Sequence, residues 1–299
     1  MNTWNGRRPA GRIAYVDGRY VPHGRAGVHV EDRGLQLGDA VYEVFGVIDG
    51  ALRDEEEHLD RLERSLREIE IALPMSRQVL GLVMRELVRR NGVRNGLLYL
   101  QISRGVARRD HPIPKSPPRP SLILTVRSVP PGEFEKRRHD GVTVITRPDE
   151  RWGRCDIKTV QLLPNLLAKT AARRAGAYEA WLVDEAGYVT EGSSTNAWIV
   201  DAAGNLRTRP LSHDILPGVT RRVILEAAEA AQLPILQEPF TVADARNARE
   251  AFISSATGVV PVTAIDGHPV GEGKPGPVTR RVQELYTLTS AGRAAKSGT

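Results

Sequence analysis

Alternating apolar residues flank Asp17-Gly18 in AYVDGRYV, residues 14–21, and an Asp-Gly pair between alternating runs predicts a two-residue β-hairpin. Leu59, Leu62, Leu66, Ile69 and Leu73 then recur at helical spacing, which predicts a helix over 55–73 ended by Pro74. Ser76 caps a second predicted helix that runs through Arg90 and closes at Asn91-Gly92. LLYLQIS (97–103) and SLILTVR (121–127) predict strands on either side of a Pro- and Arg-rich loop, 105–120. A loop of that length inside a compact domain is a functional candidate.

Polar residues and a Pro-Pro-Gly break mark 128–140. Beyond it the pattern predicts strands over 142–146, 179–183 and 195–200, a turn at 201–205, and helices over 165–175, 219–232 and 277–290, with the last nine residues frayed. The expected fold class is α/β (α+β) in two domains: a smaller N-terminal domain over 1–130, a linker over 131–140 and a larger C-terminal domain over 141–299.

Composition narrows the classes. No apolar run of about eighteen residues exists, and the N-terminal MNTWNGRRPAGR lacks a signal-like apolar stretch. Neither a membrane span nor secretion is expected, and the expected location is cytoplasmic. The single cysteine, Cys155, excludes an internal disulfide and is read as a packing residue. Seven scattered histidines offer no HExxH or CxxC spacing, so no metal is expected. A net charge of +6 raises nucleic acid as a partner. The arginines are spread along the whole chain and aromatic content is only 5%, which argues against it. An arginine excess also suits phosphate and carboxylate ligands, which match the planar guanidinium fork.

The chemistry centres on RWGRCDIKTVQLLPN, 151–165. Among six lysines and thirty-six arginines, Lys158 alone lies in an apolar setting, between Ile157 and a run containing Val160, Leu162 and Leu163. A desolvated ammonium near other cations loses proton affinity and becomes a usable nucleophile and base. Taken alone, it reads as a snorkelling lysine.

Further along come TEGSSTN (190–196) and PGVTR (217–221), and earlier EDRGLQLGDAVYEV (31–44), HLDRL (58–62) and RRDH (108–111). Together these segments resemble the D-amino acid aminotransferases, pyridoxal-phosphate (PLP) enzymes of fold-type IV, a group that includes branched-chain aminotransferases and aminodeoxychorismate lyase. The likeness runs from about residue 14 to about 285 in the same order, which makes it far more specific than one motif. It implies the two-domain fold-type IV architecture, with PLP in the interdomain cleft and the C-terminal domain as the PLP-binding one.

The resemblance implies a role for each matching residue. Lys158 corresponds to the Schiff-base lysine, which also carries a proton during transamination. Glu191 corresponds to the partner of the pyridine nitrogen. Arg61, Val219, Thr220, Ser255 and Ala256 correspond to phosphate contacts, with the Thr220 hydroxyl as an added donor at the start of a helix. Leu216 corresponds to a packing residue against the ring. Tyr42, Arg109 and His111 correspond to the trap for the substrate α-carboxylate, the last two reaching across a homodimer interface into a shared site. Arg151 and Ser193-Ser194 are expected to line the same pocket. Singly, each has an ordinary alternative: a surface arginine, a solvated glutamate, a core tyrosine or a basic loop.

The function so implied transfers the amino group of a D-amino acid, such as D-alanine or D-glutamate, to a 2-oxo acid such as 2-oxoglutarate or pyruvate. A branched-chain L-amino acid or (R)-amine aminotransferase is the runner-up on the same scaffold, and aminodeoxychorismate lyase ranks third. VYEV and the Arg109-x-His111 pair favour D-amino acids. A nucleic-acid-binding protein, from a different class, would leave the motif set unexplained.

Overall fold

The computed structural model describes residues 11–130 and 132–297, with side chains through residue 291. The fold divides into two compact units. The first comprises the described residues through Val129 together with Lys158–Gln161; the second comprises Pro130–Ile157 and the chain from Leu162 onward.

The first unit contains strands β1 (Ile13–Val16), β2 (Arg19–Pro22), β3 (Ala40–Ile48), β4 (Ala51–Leu52), β5 (Gly96–Ser103) and β6 (Ser121–Ser128), with helices α1 (Arg33–Leu37), α2 (Glu55–Glu68) and α3 (Arg77–Asn91). The strands form one antiparallel sheet in the order β2-β1-β6-β5-β3-β4. The expected hairpin forms: Val16 faces Arg19, and Asp17 and Gly18 take φ of 46° and 94°. Two consecutive left-handed residues match the right-handed twist of the flanking strands. Val41, Glu43, Phe45 and Val47 of β3 share a buried face, and Leu59, Leu62 and Leu66 of α2 are buried too.

Helix α2 ends at Glu68, five residues short of the predicted limit at Leu73. Glu70 turns left-handed (φ 55°), and the Glu70 and Ile71 amides return to the Arg67 and Leu66 carbonyls. Ile71 is buried by this reversal, so tertiary burial ends the helix before Pro74 can. Helix α3 begins at its expected cap, with Ser76 Oγ accepting from the Val79 amide at 3.4 Å, and ends at Gly92 (φ 59°).

The second unit contains β7 (Val142–Pro148), β8 (Glu179–Val183), β9 (Val189–Gly192), β10 (Asn196–Val200), β11 (Leu206–Thr208), β12 (Ile235–Gln237), β13 (Glu250–Ser255), β14 (Gly258–Ile265) and β15 (His268–Pro269). Its helices are α4 (Glu133–Asp140), α5 (Leu163–Arg174), α6 (Val219–Ala230), α7 (Val242–Arg246) and α8 (Pro277–Ser297). The residues expected as a linker therefore include a helix, and the tail expected to fray is helical through Ser297. The last two residues lie outside those described. The sheet order is β12-β11-β10-β13-β14-β7-β8-β9, with β15 beside β14. Pairings β7-β8, β7-β14 and β11-β12 are parallel and the rest antiparallel.

Both faces of this sheet are covered. Ala197, Ile199, Ala251 and Ile253 enter one apolar cluster, while their neighbours Trp198, Val200 and Phe252 enter another with Val223 and Ile224 of α6 and Val282 of α8. Strands buried on both sides read as continuous apolar runs rather than alternating ones. That is why β13 and β14, the latter containing Pro261, leave little strand signal in the sequence. Among the described residues, no helix is long and apolar enough to cross a membrane.

Candidate active site

The Lys158 segment pairs with the start of β3. The Tyr42 amide donates to the Lys158 carbonyl (3.0 Å) and the Val160 amide to the Ala40 carbonyl (3.2 Å), with an antiparallel bridge between Val41 and Thr159. The Lys158 amide donates to Ser65 Oγ at 3.4 Å. The ammonium lies 4.3 Å from the centre of the Tyr42 ring, in reach of a cation–π attraction, and Tyr42 stacks on Tyr99 at 5.7 Å. Burial pushes the Tyr99 phenol up to about 12, with Tyr42 adding to it, and its hydroxyl donates to Gln101 Oε1. The expected apolar enclosure of Lys158 is corrected: Leu163 is exposed, Lys158 is half-buried, and its immediate surface is aromatic. A strand-like backbone thus holds the amine beside the Tyr42 ring.

Arg61 projects from α2 onto Glu43 of β3. Nε and Nη2 donate to the two carboxylate oxygens at 2.8 Å each, and His58 Nδ1 lies 2.7 Å from Oε2. Glu43 is fully buried. Burial pushes its carboxyl up, but Arg61 and then His58 more than offset this and hold it well below the ordinary carboxylate range. Arg61→Ala leaves that buried carboxylate with His58 in place of the full ion pair, and the apo form is expected to lose about 3–5 kcal/mol in denaturant unfolding. Because the folded value is depressed, the stabilisation is full above the unfolded pKa of ~4.3 and declines below it, so the deficit should shrink in acid. A Glu43→Gln/Arg61→Ala double variant should regain much of the stability yet, lacking the phosphate contact that the resemblance implies for Arg61, still lose PLP on dialysis. Parent-like PLP retention in the double variant would place the phosphate anchor elsewhere.

In the second unit Glu191, on β9, is buried and surrounded by donors. Arg151 Nη1 donates to Oε1, Asn196 Nδ2 to Oε2 (2.8 Å), and the Leu216 amide to both oxygens (3.1 and 3.2 Å). Arg151 is itself forked onto Asp149, with Nε and Nη2 at 2.8 and 2.7 Å. Burial acts to push Arg151 down, but Asp149 and Glu191 outweigh it and hold its guanidinium above the usual value. A carboxylate fixed by donors is a ready partner for a protonated ring nitrogen. Leu216, expected as a ring-packing residue, holds this carboxylate through its backbone as well.

The start of α6 and the β13–β14 turn are tied together. The Thr220 hydroxyl donates to the Ser255 carbonyl at 2.7 Å, and Ser255 Oγ meets Thr257 Oγ1 at 2.8 Å. A hydroxyl has one proton, and in this structure that of Thr220 serves the turn. The anion-binding capacity rests on the first α6 amides, which have no intrahelical acceptors, beside the Ser255-Ala256 turn. Gly218 caps α6 where a Cβ would lie 2.0 Å from Asn196 Oδ1, so no side chain fits. Asn196 also bonds Glu191, and this unit therefore offers an anion cradle and a fixed carboxylate in one connected set. That pairing of charges fits a phosphorylated pyridine such as PLP.

The profile of the family described as amino-transferase class IV matches residues 40–265. The chain belongs to the class IV aminotransferases. It is 40% identical to the D-alanine aminotransferase of Bacillus licheniformis, over 94% of this chain and 98% of that one. It is 39% identical to that of Staphylococcus haemolyticus, over 91% and 95%. Among solved structures it resembles the branched-chain amino acid aminotransferase of Escherichia coli, at TM-score 0.82, 25% identity and 94% and 95% coverage. A hypothetical aminotransferase from Mycobacterium tuberculosis in its PLP-bound form aligns at TM-score 0.81 and 25% identity, covering 94% and 99%.

In this class IV aminotransferase Lys158 and Tyr42 are brought together, as are Glu191 with Leu216 and Thr220 with Ser255, whereas Arg109 and His111 are exposed on the loop after β5. Ser193 and Ser194 donate their hydroxyls to the buried Glu179 of β8, which Lys169 also meets at 3.0 Å. Cys155 is half-buried, and burial pushes its thiol up to about 12, the profile of an unreactive packing residue. Sequence reasoning missed Glu43 and Asn196. An acid at a buried position of an apolar strand, and an Asn five residues after Glu191, were the available signals.

Proposed function

We propose that this class IV aminotransferase transfers the amino group of a D-amino acid, such as D-alanine or D-glutamate, to a 2-oxo acid such as 2-oxoglutarate or pyruvate. The carrying observation is the match of about 40% identity to D-alanine aminotransferases over more than nine-tenths of the chain. PLP, when bound, supplies an electron sink for the carbanion formed at the substrate Cα. Lys158 holds the cofactor and, once released, takes the Cα proton on Nζ. Glu191 keeps the ring nitrogen protonated, steadied by Arg151 and Asn196. Arg61, the Val219-Thr220 amides and the Ser255-Ala256 turn hold the phosphate, and Leu216 packs on the ring.

Tyr42, Arg109 and His111 hold the substrate carboxylate, with Arg109 and His111 serving the partner's site in a homodimer. The exposure of both side chains on their own chain supports that reading. The cytoplasm, where amino acids, 2-oxo acids and PLP are all available, is the proposed location. The branched-chain reading draws on the shared scaffold and on the likeness to solved structures, and a coupled assay across paired D- and L-amino acids separates the two.

Arg109→Leu should raise the apparent KM for D-amino acids roughly ten- to hundredfold, the value of a charge-assisted bond to a carboxylate. PLP binding should change little. A verified heterodimer of an Arg109→Leu chain with a Lys158→Ala chain should recover about half of the parent activity, since crossing the interface puts both defects in one site. No recovery there would refute the shared site.

A further inference from the structure

The loop carrying Arg109 and His111 is gripped from within its own unit by Arg33, a side chain outside the cofactor and substrate contacts. Arg33 lies on α1 and is 3% exposed. Its Nη1 donates to the Asp110 carbonyl (2.7 Å), Nη2 to the His111 carbonyl (3.3 Å) and Nε to Asp39 (2.8 Å). Asp39 is shared with Arg104, whose Nε and Nη2 meet it at 2.7 and 3.0 Å. Arg104 also donates to the Ile69 and Glu70 carbonyls that follow α2. Burial pushes the Asp39 carboxyl up, but Arg104 and Arg33 more than offset it and hold it below the ordinary range.

The base of this strut is rigid. Asp32 accepts from the Leu35 amide (3.2 Å) and the Ser103 hydroxyl (2.7 Å), joining the start of α1 to the end of β5. Gly34 approaches so closely that a Cβ would sit 2.7 Å from that of Ser103. The Arg33 amide bonds the Gly105 carbonyl at 3.0 Å. Beyond the strut, residues 108–113 are all exposed. A buried guanidinium with each of its three nitrogens hydrogen-bonded is a costly way to hold two carbonyls of an otherwise solvated loop. The two carbonyls belong to His111 and to the residue between it and Arg109.

We propose that Arg33 is a positioning residue of the substrate-carboxylate grip, fixing the backbone from which Arg109 and His111 reach the substrate. This rests on the reading of those two residues as that grip. A misplacement of about 1 Å in a positioning group can cost up to about a hundredfold.

The test uses holoenzyme carrying Arg33→Met or Arg33→Lys. A lysine keeps the charge opposite Asp39, but its compact ammonium cannot span both carbonyls and the carboxylate. The apparent KM for D-alanine should rise about tenfold with Met and about threefold with Lys, while kcat moves less than about twofold and PLP content stays at the parent level. Hydrogen exchange should quicken in peptides covering 106–112 and stay unchanged over 13–22. If the Met variant fails to fold, the Lys variant decides alone. Parent-like KM and exchange in Arg33→Lys, or a joint fall of kcat, PLP content and melting temperature, would overturn the proposal. A parent enzyme inactive on D-amino acids would instead overturn the substrate reading, and the exchange experiment would still report whether Arg33 holds the loop.

Discussion

Lys158→Ala is expected to abolish transamination, a loss of roughly four orders of magnitude or more, while the chain still folds. The segment is held through its backbone: the Lys158 carbonyl accepts from the Tyr42 amide, Val160 donates to Ala40, and the Lys158 amide meets Ser65. Alanine keeps all three bonds and gives up only the contact with the Tyr42 ring, about 0.5–1 kcal/mol at a half-exposed position. Far-UV circular dichroism and melting temperature should therefore stay near the parent's. Borohydride treatment of parent holoenzyme followed by peptide mapping should put the pyridoxyl label on the Lys158 peptide. A label on Lys169 or Lys115 would overturn the assignment.

Glu191→Gln should retain PLP but slow turnover by about 10²- to 10³-fold, the range seen when one preorganised electrostatic group is removed. The amide is isosteric, so the Asn196 and Leu216 donors still find an oxygen. Its neutral head no longer favours a protonated ring nitrogen, and its NH₂ adds a donor where Arg151, Asn196 and Leu216 already donate. The effect should appear in kcat with little change in KM, because the proposed grip on the substrate carboxylate is made by Tyr42, Arg109 and His111 instead. Unchanged turnover with a normal cofactor spectrum would show that another group serves the ring nitrogen.

Local chemistry made much of this protein legible before any tertiary contact was known. Asp17-Gly18 specifies a two-residue hairpin because both positions tolerate positive φ, and Ser76 and Gly92 bracket α3 because each meets a need of the helix end itself. The site motifs were legible for a related reason. TEGSSTN and PGVTR each place their chemical groups within a few residues, so a carboxylate on β9 and an amide-rich start to α6 are written locally.

What tertiary structure alone decided depends on partners far apart in sequence. The end of α2 was misplaced because the periodicity continues through Leu73, while the burial of Ile71 and the guanidinium of Arg104 favour an earlier reversal. The Thr220 hydroxyl bonds the Ser255 carbonyl thirty-five residues away, a partner that the PGVTR motif alone does not show. Strands β13 and β14 carry little strand signal in the sequence because burial on both faces erases the alternation that marks a strand. Glu43 is an ordinary acid in the sequence and a buried ion-pair partner in the fold, and only α2 laid against β3 makes it so. Arg33 shows the same separation: its bonds to Asp110 and His111 span more than seventy residues. Periodicity and capping report forces that act within a few residues of the chain, whereas the direction of a hydrogen bond or the burial of a charge is set by whatever the fold brings against it.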